Sequence, residues 1–114
     1  MSVITLKRGY LYWARMDKRR PVLVLSPDYR NERANDVIIV PGSTTIRDAP
    51  THVVLRAGEG GVRVRTALKC EQVITLPRDA LQPRALGGRL SAERIAAVER
   101  ALLRAIGVAV PEPE

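Results

Sequence analysis

The first two-thirds of the chain carries its apolar residues in short runs with a period of two. RGYLYWA (8–14) places Tyr10 and Tyr12 on one face and Leu11 and Trp13 on the other, which predicts a strand. PVLVLS (21–26) and VIIVP (37–41) are unbroken apolar runs of strand length, as expected for strands covered on both faces. THVVLR (51–56) predicts another strand, followed by a hairpin-type turn at GEGG (58–61). VRVRTALKCEQ (62–72) alternates most clearly. Val62, Val64, Thr66, Leu68 and Cys70 fall on one side, and Arg63, Arg65, Ala67, Lys69 and Glu71 on the other. One strand is therefore predicted through this segment. It would send Cys70 into the core and set Lys69 and Glu71 side by side on a polar face, their Cα atoms about 6.6 Å apart.

Between these runs, PDYRNERAND (27–36) is a polar connection with room for one helical turn. VITL (73–76) is a short apolar stretch leading into a looser polar connection. The period then changes. Ser91 is a good N-cap, Glu93 lies in the first turn, and Ile95, Val98, Leu102 and Ile106 recur at helical spacing before a C′ stop at Gly107. Several short strands followed by one helix predict a mostly β (α+β) fold: a small antiparallel barrel closed by a C-terminal helix. Residues 1–110 form one domain in this reading, and 111–114 a short acidic tail.

Composition narrows the classes. At 114 residues, with 46% apolar and 27% charged positions, the chain is an ordinary soluble domain with its own core. It has no apolar run of about 18 residues for a membrane span, and MSVITLKRGY lacks the apolar centre of a signal peptide. One cysteine permits no internal disulfide, so a reducing cytoplasm is expected. A single histidine, His52, and a single cysteine, Cys70, exclude a zinc site built from several such ligands, and no cofactor is expected.

Charge changes the picture more. The net charge is +7, with a pI near 10.5, and a basic small domain of this kind most often has a polyanionic partner. Lys7, Arg8, Arg15, Lys18, Arg19 and Arg20 crowd the first twenty residues, opposed only by Asp17. Arg56, Arg63, Arg65 and Lys69 form a second cluster near one acid, Glu59.

RGYLYW (8–13), RRPVLVLSP (19–27), VIIVPGST (37–44), PTHVVL (50–55), ALKCEQV (67–73) and GRLSAERIAAVERALLRAIG (88–107) resemble, in order, the MazF/PemK family of toxin ribonucleases. The resemblance implies an SH3-like barrel of the CcdB/PemK kind, a homodimer, and metal-independent cleavage of single-stranded RNA. It also implies an acidic, MazE-like cognate antitoxin. The family's catalytic arginine maps to Arg20 and its hydroxyl residue to Ser43, with Thr44 beside it. In the PemK branch the acid and base flank a cysteine, at positions matching Lys69 and Glu71. Three positions depart from the family pattern: Tyr10 stands where Asp is usual, Ser43 where Thr is usual, and Lys69 where PemK has Arg. The loop at WARMDK (13–18) is also short for the family.

The residue types suit that chemistry. The RNA 2′-OH can attack its own phosphate if a base takes its proton, a cation holds the phosphate oxygens, and an acid protonates the leaving 5′-oxygen. Glu71 would be the base and Lys69 the acid. Arg20 would hold the phosphate, and Ser43 would donate a hydrogen bond to it. Lys18, Arg19, Thr44, Arg63, Arg65, His52 and Gln72 are the expected RNA contacts. Cys70 is read as a small core residue, and Trp13 as core or dimer surface. Two other readings remain open: a non-catalytic nucleic-acid-binding barrel, and a CcdB-like gyrase inhibitor. The PEPE terminus disfavours the second, which acts through an apolar C-terminal tip carrying Trp.

Overall fold

The apolar runs at 21–26 and 37–41 have no polar side because the sheet they enter has core on both faces. In the computed structural model, which describes residues 5–111, strand β1 (Leu11–Arg15) pairs antiparallel with β2 (Arg19–Val24), and β2 with β3 (Asp36–Ser43). Leu11, Leu23, Leu25 and Val40 face one cluster, shared with Val53, Leu55, Leu68, Cys70 and the helix residues Ile95, Val98 and Ala101. Tyr12, Ala14, Val22, Val24, Val37 and Ile39 face a second, completed by Leu6 and Leu81. Alternate residues of one strand thus serve two cores, and each fully buried aliphatic side chain contributes about 1.5–3 kcal/mol.

β3 is the common strand of the sheet. Asp36–Ile39 pair with β6 (Ile74–Pro77), Ile39–Pro41 with β2, and Gly42–Ser43 with β5 (Thr66–Lys69). β5 pairs in turn with β4 (His52–Leu55), and β7 (Leu81–Ala85) closes onto β1. The result is a strongly curved, wholly antiparallel seven-stranded sheet with order β4-β5-β3-β2-β1-β7 and β6 branching from β3. The one-turn helix α1 (Asp28–Arg33) fills the polar connection at 27–36. There Asn31 is buried and bonds both the Ser26 hydroxyl and the Ser26 carbonyl. The C-terminal helix α2 (Ala92–Ala105) packs against β4 and the first core.

The caps of α2 lie where the sequence places them. Ser91 Oγ accepts from the Arg94 amide at 3.1 Å, and Gly107 takes φ +85°, a conformation costly to residues with a Cβ. The apolar stripe stops sooner than its spacing implies: Ala101 is buried and Leu102 partly so, but Ile106 is 65% exposed, beyond the sheet that α2 covers.

Three further expectations are corrected. The 62–72 segment is not one strand. Residues 62–65 lie outside the sheet with Val64 55% exposed, and β5 spans only Thr66–Lys69. After Lys69 the chain turns into a 3-10 segment, Cys70–Gln72, where the Cys70 amide donates to the Thr51 carbonyl at 2.9 Å. Cys70 is fully buried as expected, but Lys69 and Glu71 are not strand neighbours. Ala67, expected on a polar face, is fully buried opposite Ser43. GEGG forms a 3-10 turn, Glu59–Gly61, within a ten-residue excursion from β4 to β5 rather than a tight hairpin. β6 and β7 were not predicted as strands. β7 reads LQPRA, and its proline and polar residues are tolerated because it pairs along one side only, with β1. No helix among the described residues is long and apolar enough to cross a membrane. The acidic end of the predicted tail, Glu112–Glu114, lies outside the described residues.

Candidate active site

The β1–β2 hairpin turns on only three residues, Met16, Asp17 and Lys18, because Arg15 already opposes Arg19. That tight turn delivers Lys18, Arg19 and Arg20 to one end of a pocket of about 250 Å³. Pro21, Gly42, Val62, Val64 and Leu86 form its apolar surfaces, and Ser43, Thr44, Arg63 and Thr66 its further polar lining. Of the residues singled out in the sequence, the structure therefore gathers Arg20, Ser43, Thr44, Lys18, Arg19 and Arg63 into one cavity. Three come from elsewhere in the chain, Ser43 and Thr44 from the end of β3 and Arg63 from the excursion before β5, which explains why their union is invisible in one dimension.

Arg20 is anchored before any substrate arrives. Its Nε donates to Asp17 Oδ1 at 2.9 Å and its Nη2 to Asp17 Oδ2 at 3.0 Å. Ser43 is nearly buried, and its Oγ accepts from the Thr45 amide at 3.1 Å. Its hydroxyl hydrogen is then directed elsewhere, as a phosphate donor requires. Trp13 lies in neither core cluster. It is half-buried on the pocket wall, with the Arg19 guanidinium 4.2 Å from its ring centroid, a cation–π contact. Of the two readings of Trp13, core or dimer surface, the first is corrected accordingly.

Gly42 is a site residue that pattern reading missed. A Cβ there would lie 2.8 Å from Thr66 Cγ2 and 3.1 Å from the Pro21 ring and carbonyl, so only bare backbone lets β2, β3 and β5 converge. The glycine following V-P in VIIVPGST was the available signal.

Glu71, His52 and Lys69 belong to an adjoining constellation. Glu71 Oε2 pairs with His52 Nε2 at 3.0 Å, and its Oε1 accepts from Thr51 Oγ1 at 3.1 Å. Partial burial pushes the Glu71 carboxyl upward, but bonds from His52, its own backbone and Thr51 outweigh this and hold it below the ordinary glutamate value. The His52 side chain is only 7% exposed, and its Nδ1 has no hydrogen-bond partner among the described residues. Lys69 opposes His52 across β4–β5, while Ala67, two residues earlier, opposes Ser43. Lys69 thus projects from the same sheet face as Ser43, about 6.6 Å further along β5. Neither Lys69 nor Glu71 lines the Arg20 pocket. Arg65 and Gln72 are exposed, at the excursion and the 3-10 segment respectively. Among the described residues, no group of three or more His, Cys, Asp or Glu side chains is placed to hold a metal ion.

Residues 7–106 match the family described as PemK-like, MazF-like toxin of type II toxin–antitoxin systems. The chain is 35% identical over 105 residues to the probable endoribonuclease MazF5 of Mycobacterium tuberculosis, covering 90% of this chain and 91% of that one. It is 31% identical over 97 residues to endoribonuclease MazF3 of the same organism, covering 85% and 87%. Among solved structures, the M. tuberculosis toxin MazF-mt6 superposes with a TM-score of 0.80 at 28% identity, over 89% of this chain and 99% of that one. A mycobacterial endoribonuclease solved with its cognate antitoxin gives a TM-score of 0.79 at 26% identity, over 93% and 99%. The curved sheet, the capping helix and the order of the site-bearing segments agree with that match along nearly the whole chain, which belongs to the PemK-like, MazF-like family of type II toxin–antitoxin toxins.

Proposed function

We propose that this chain is a toxin endoribonuclease that cuts single-stranded RNA using the RNA's own 2′-OH as nucleophile. The observation that carries this reading is the cavity in which Arg20, Ser43 and Thr44 meet under the cations Lys18, Arg19 and Arg63. Arg20 has the planar fork that recognises phosphate oxygens and cannot usefully release its proton, so its role is to neutralise charge developing on the phosphorane. Ser43 donates a hydrogen bond to the same phosphate. The apolar walls of the cavity and the exposed rim cations accommodate the bases and flanking phosphates.

Glu71, ionised at neutral pH, takes the 2′-OH proton, and Lys69 protonates the departing 5′-oxygen. His52 and Thr51 hold the Glu71 carboxylate. The 2′-oxygen bonds to phosphorus as the P–O5′ bond breaks, giving a 2′,3′-cyclic phosphate and a 5′-hydroxyl. The named activity of the MazF3 and MazF5 relatives supports the reading, and the toxin–antitoxin complex supports an antitoxin partner. An acidic antitoxin segment would compete with RNA for the basic cavity. Action as a cytoplasmic homodimer belongs to the same proposal.

The test is incubation of purified protein with a long single-stranded RNA in EDTA, with mapping of the new ends. Cleavage to 5′-hydroxyl ends is expected. Arg20→Ala should lower the rate by about 100-fold or more while leaving the fold intact, as removal of one charge-stabilising donor does elsewhere. Ends bearing 5′-phosphate, or an undiminished Arg20→Ala enzyme, would overturn the proposal.

A further inference from the structure

Asp17 occupies the centre of the three-residue turn between β1 and β2, where the Met16 amide closes onto the Lys18 carbonyl at 3.1 Å. Its two carboxylate oxygens receive the Nε and Nη2 hydrogens of Arg20 at 2.9 and 3.0 Å. That is the side-on mode of pairing, which engages one edge of the guanidinium and leaves the opposite, end-on edge. Nη1, which lies on that free edge, makes no hydrogen bond to any described residue. The two partners sit at different depths. The Asp17 side chain is 67% exposed and that of Arg20 only 22%, so the acid grips from outside while the arginine lines the cavity.

We propose that Asp17 is a positioning residue for Arg20: its side-on grip fixes the guanidinium plane and presents the end-on edge to the scissile phosphate. The inference rests on the reading that Arg20 contacts that phosphate. A free arginine samples many rotamers, and ordering it at the moment of reaction would cost side-chain entropy. In this hairpin the ordering is complete beforehand, because the turn places the carboxylate three residues ahead of the arginine it holds. The hydrogen bond from Arg20 draws the Asp17 pKa down to about 2. Asp17 therefore stays ionised near neutrality and keeps its hold on the Arg20 guanidinium. Only a turn this short makes the pairing local.

The test is steady-state cleavage of an RNA oligonucleotide carrying one mapped cut site, with Asp17→Ala, Asp17→Asn, Asp17→Glu, Arg20→Ala and the Asp17→Ala/Arg20→Ala double variant. Asp17→Ala should lower kcat about tenfold with KM changed less than about twofold, because geometry is lost rather than binding. Asp17→Asn retains one acceptor and should fall between Asp17→Ala and wild type, and Asp17→Glu should recover part of the loss. The double variant should be no slower than Arg20→Ala alone, since a positioning residue has nothing to position there. Melting temperatures will identify any variant impaired through folding, and the exposed Asn substitution keeps the comparison available if Ala is unstable. A kcat unchanged or raised in Asp17→Ala and Asp17→Asn would overturn the proposal, as would a loss confined to KM or a fully additive double variant. If Arg20→Ala abolishes cleavage while Asp17→Ala does not slow it, only the positioning role fails. If Arg20→Ala itself cleaves normally, the phosphate-binding reading of Arg20 fails first.

Discussion

Arg20 and Cys70 show how far one side chain's surroundings can part it from the ordinary behaviour of its type. Arg20 follows two other cations, yet it alone is tied by a carboxylate and backed directly by Pro21 on a strand with core on both faces. Lys18 and Arg19 are exposed, and Arg19 rests on Trp13. Through the family resemblance, the R-P-V entry to β2 pointed to Arg20 and the V-P run in β3 pointed to Ser43. Neither motif could reveal Trp13 or Asp17 as members of the site, because their relevance depends on which strands touch and on a three-residue turn. Cys70 lies between two proposed catalytic residues, a position that in isolation invites a nucleophile. Burial instead pushes its thiol up to about 12, with the Glu71 charge adding in the same direction. Native protein at pH 8 should therefore resist iodoacetamide for hours and react readily in denaturant, as followed by intact mass. Rapid alkylation of the folded protein would contradict this burial.

At the scale of elements, legibility followed solvation. β2 and β3 could be read because strands with two buried faces must be continuously apolar, and α2 because its Ser91 cap and Gly107 stop are local chemistry. β7 could not, since an edge strand pairs on one side and can remain polar. The alternation at 62–72 misled for a related reason: residues 62–65 alternate but have no partner strand. What fixes that excursion is Glu59, whose carboxylate accepts from Arg94 Nε and Nη2 at 3.2 Å on α2. Burial pushes the Glu59 carboxyl upward, but Arg94 and the Arg56 amide outweigh it and hold the carboxyl below 4.5. A depressed folded-state value means the clamp stabilises fully above pH 4.5 and is lost as pH falls through the folded value. Glu59→Gln should accordingly lower the melting temperature at pH 6–7, with the difference from wild type shrinking as pH falls below the ordinary glutamate value and through the lowered folded one. A difference that persists unchanged at pH 2.5 would show that the carboxylate charge is not what holds the excursion.

For the whole molecule, the count of 19 Lys and Arg residues overstates what is available to a polyanion. Arg8 is bound to Glu99, Arg30 to Asp36 and Arg94 to Glu59, each joining elements of the fold. The cations gathered at the cavity are Lys18, Arg19, Arg20 and Arg63. RNA affinity measured with Arg20→Ala should fall with salt at a log–log slope set by the remaining three, about −2 by the single-strand value of 0.7 per phosphate. Adding Arg63→Gln should flatten the slope by about 0.7. A slope untouched by Arg63→Gln would place the RNA on another surface. β3 carries a different consequence. Its first half is indexed against β6 and β2, and its last two residues against β5. Distance along this single strand is therefore what translates the phase of the barrel into the direction of the Ser43 hydroxyl. One residue inserted between Ile39 and Gly42 would leave the barrel's first half in step and turn that hydroxyl to the opposite side of the sheet. The count of residues in β3 is thus a constraint on the cavity that no side-chain substitution around it can relax.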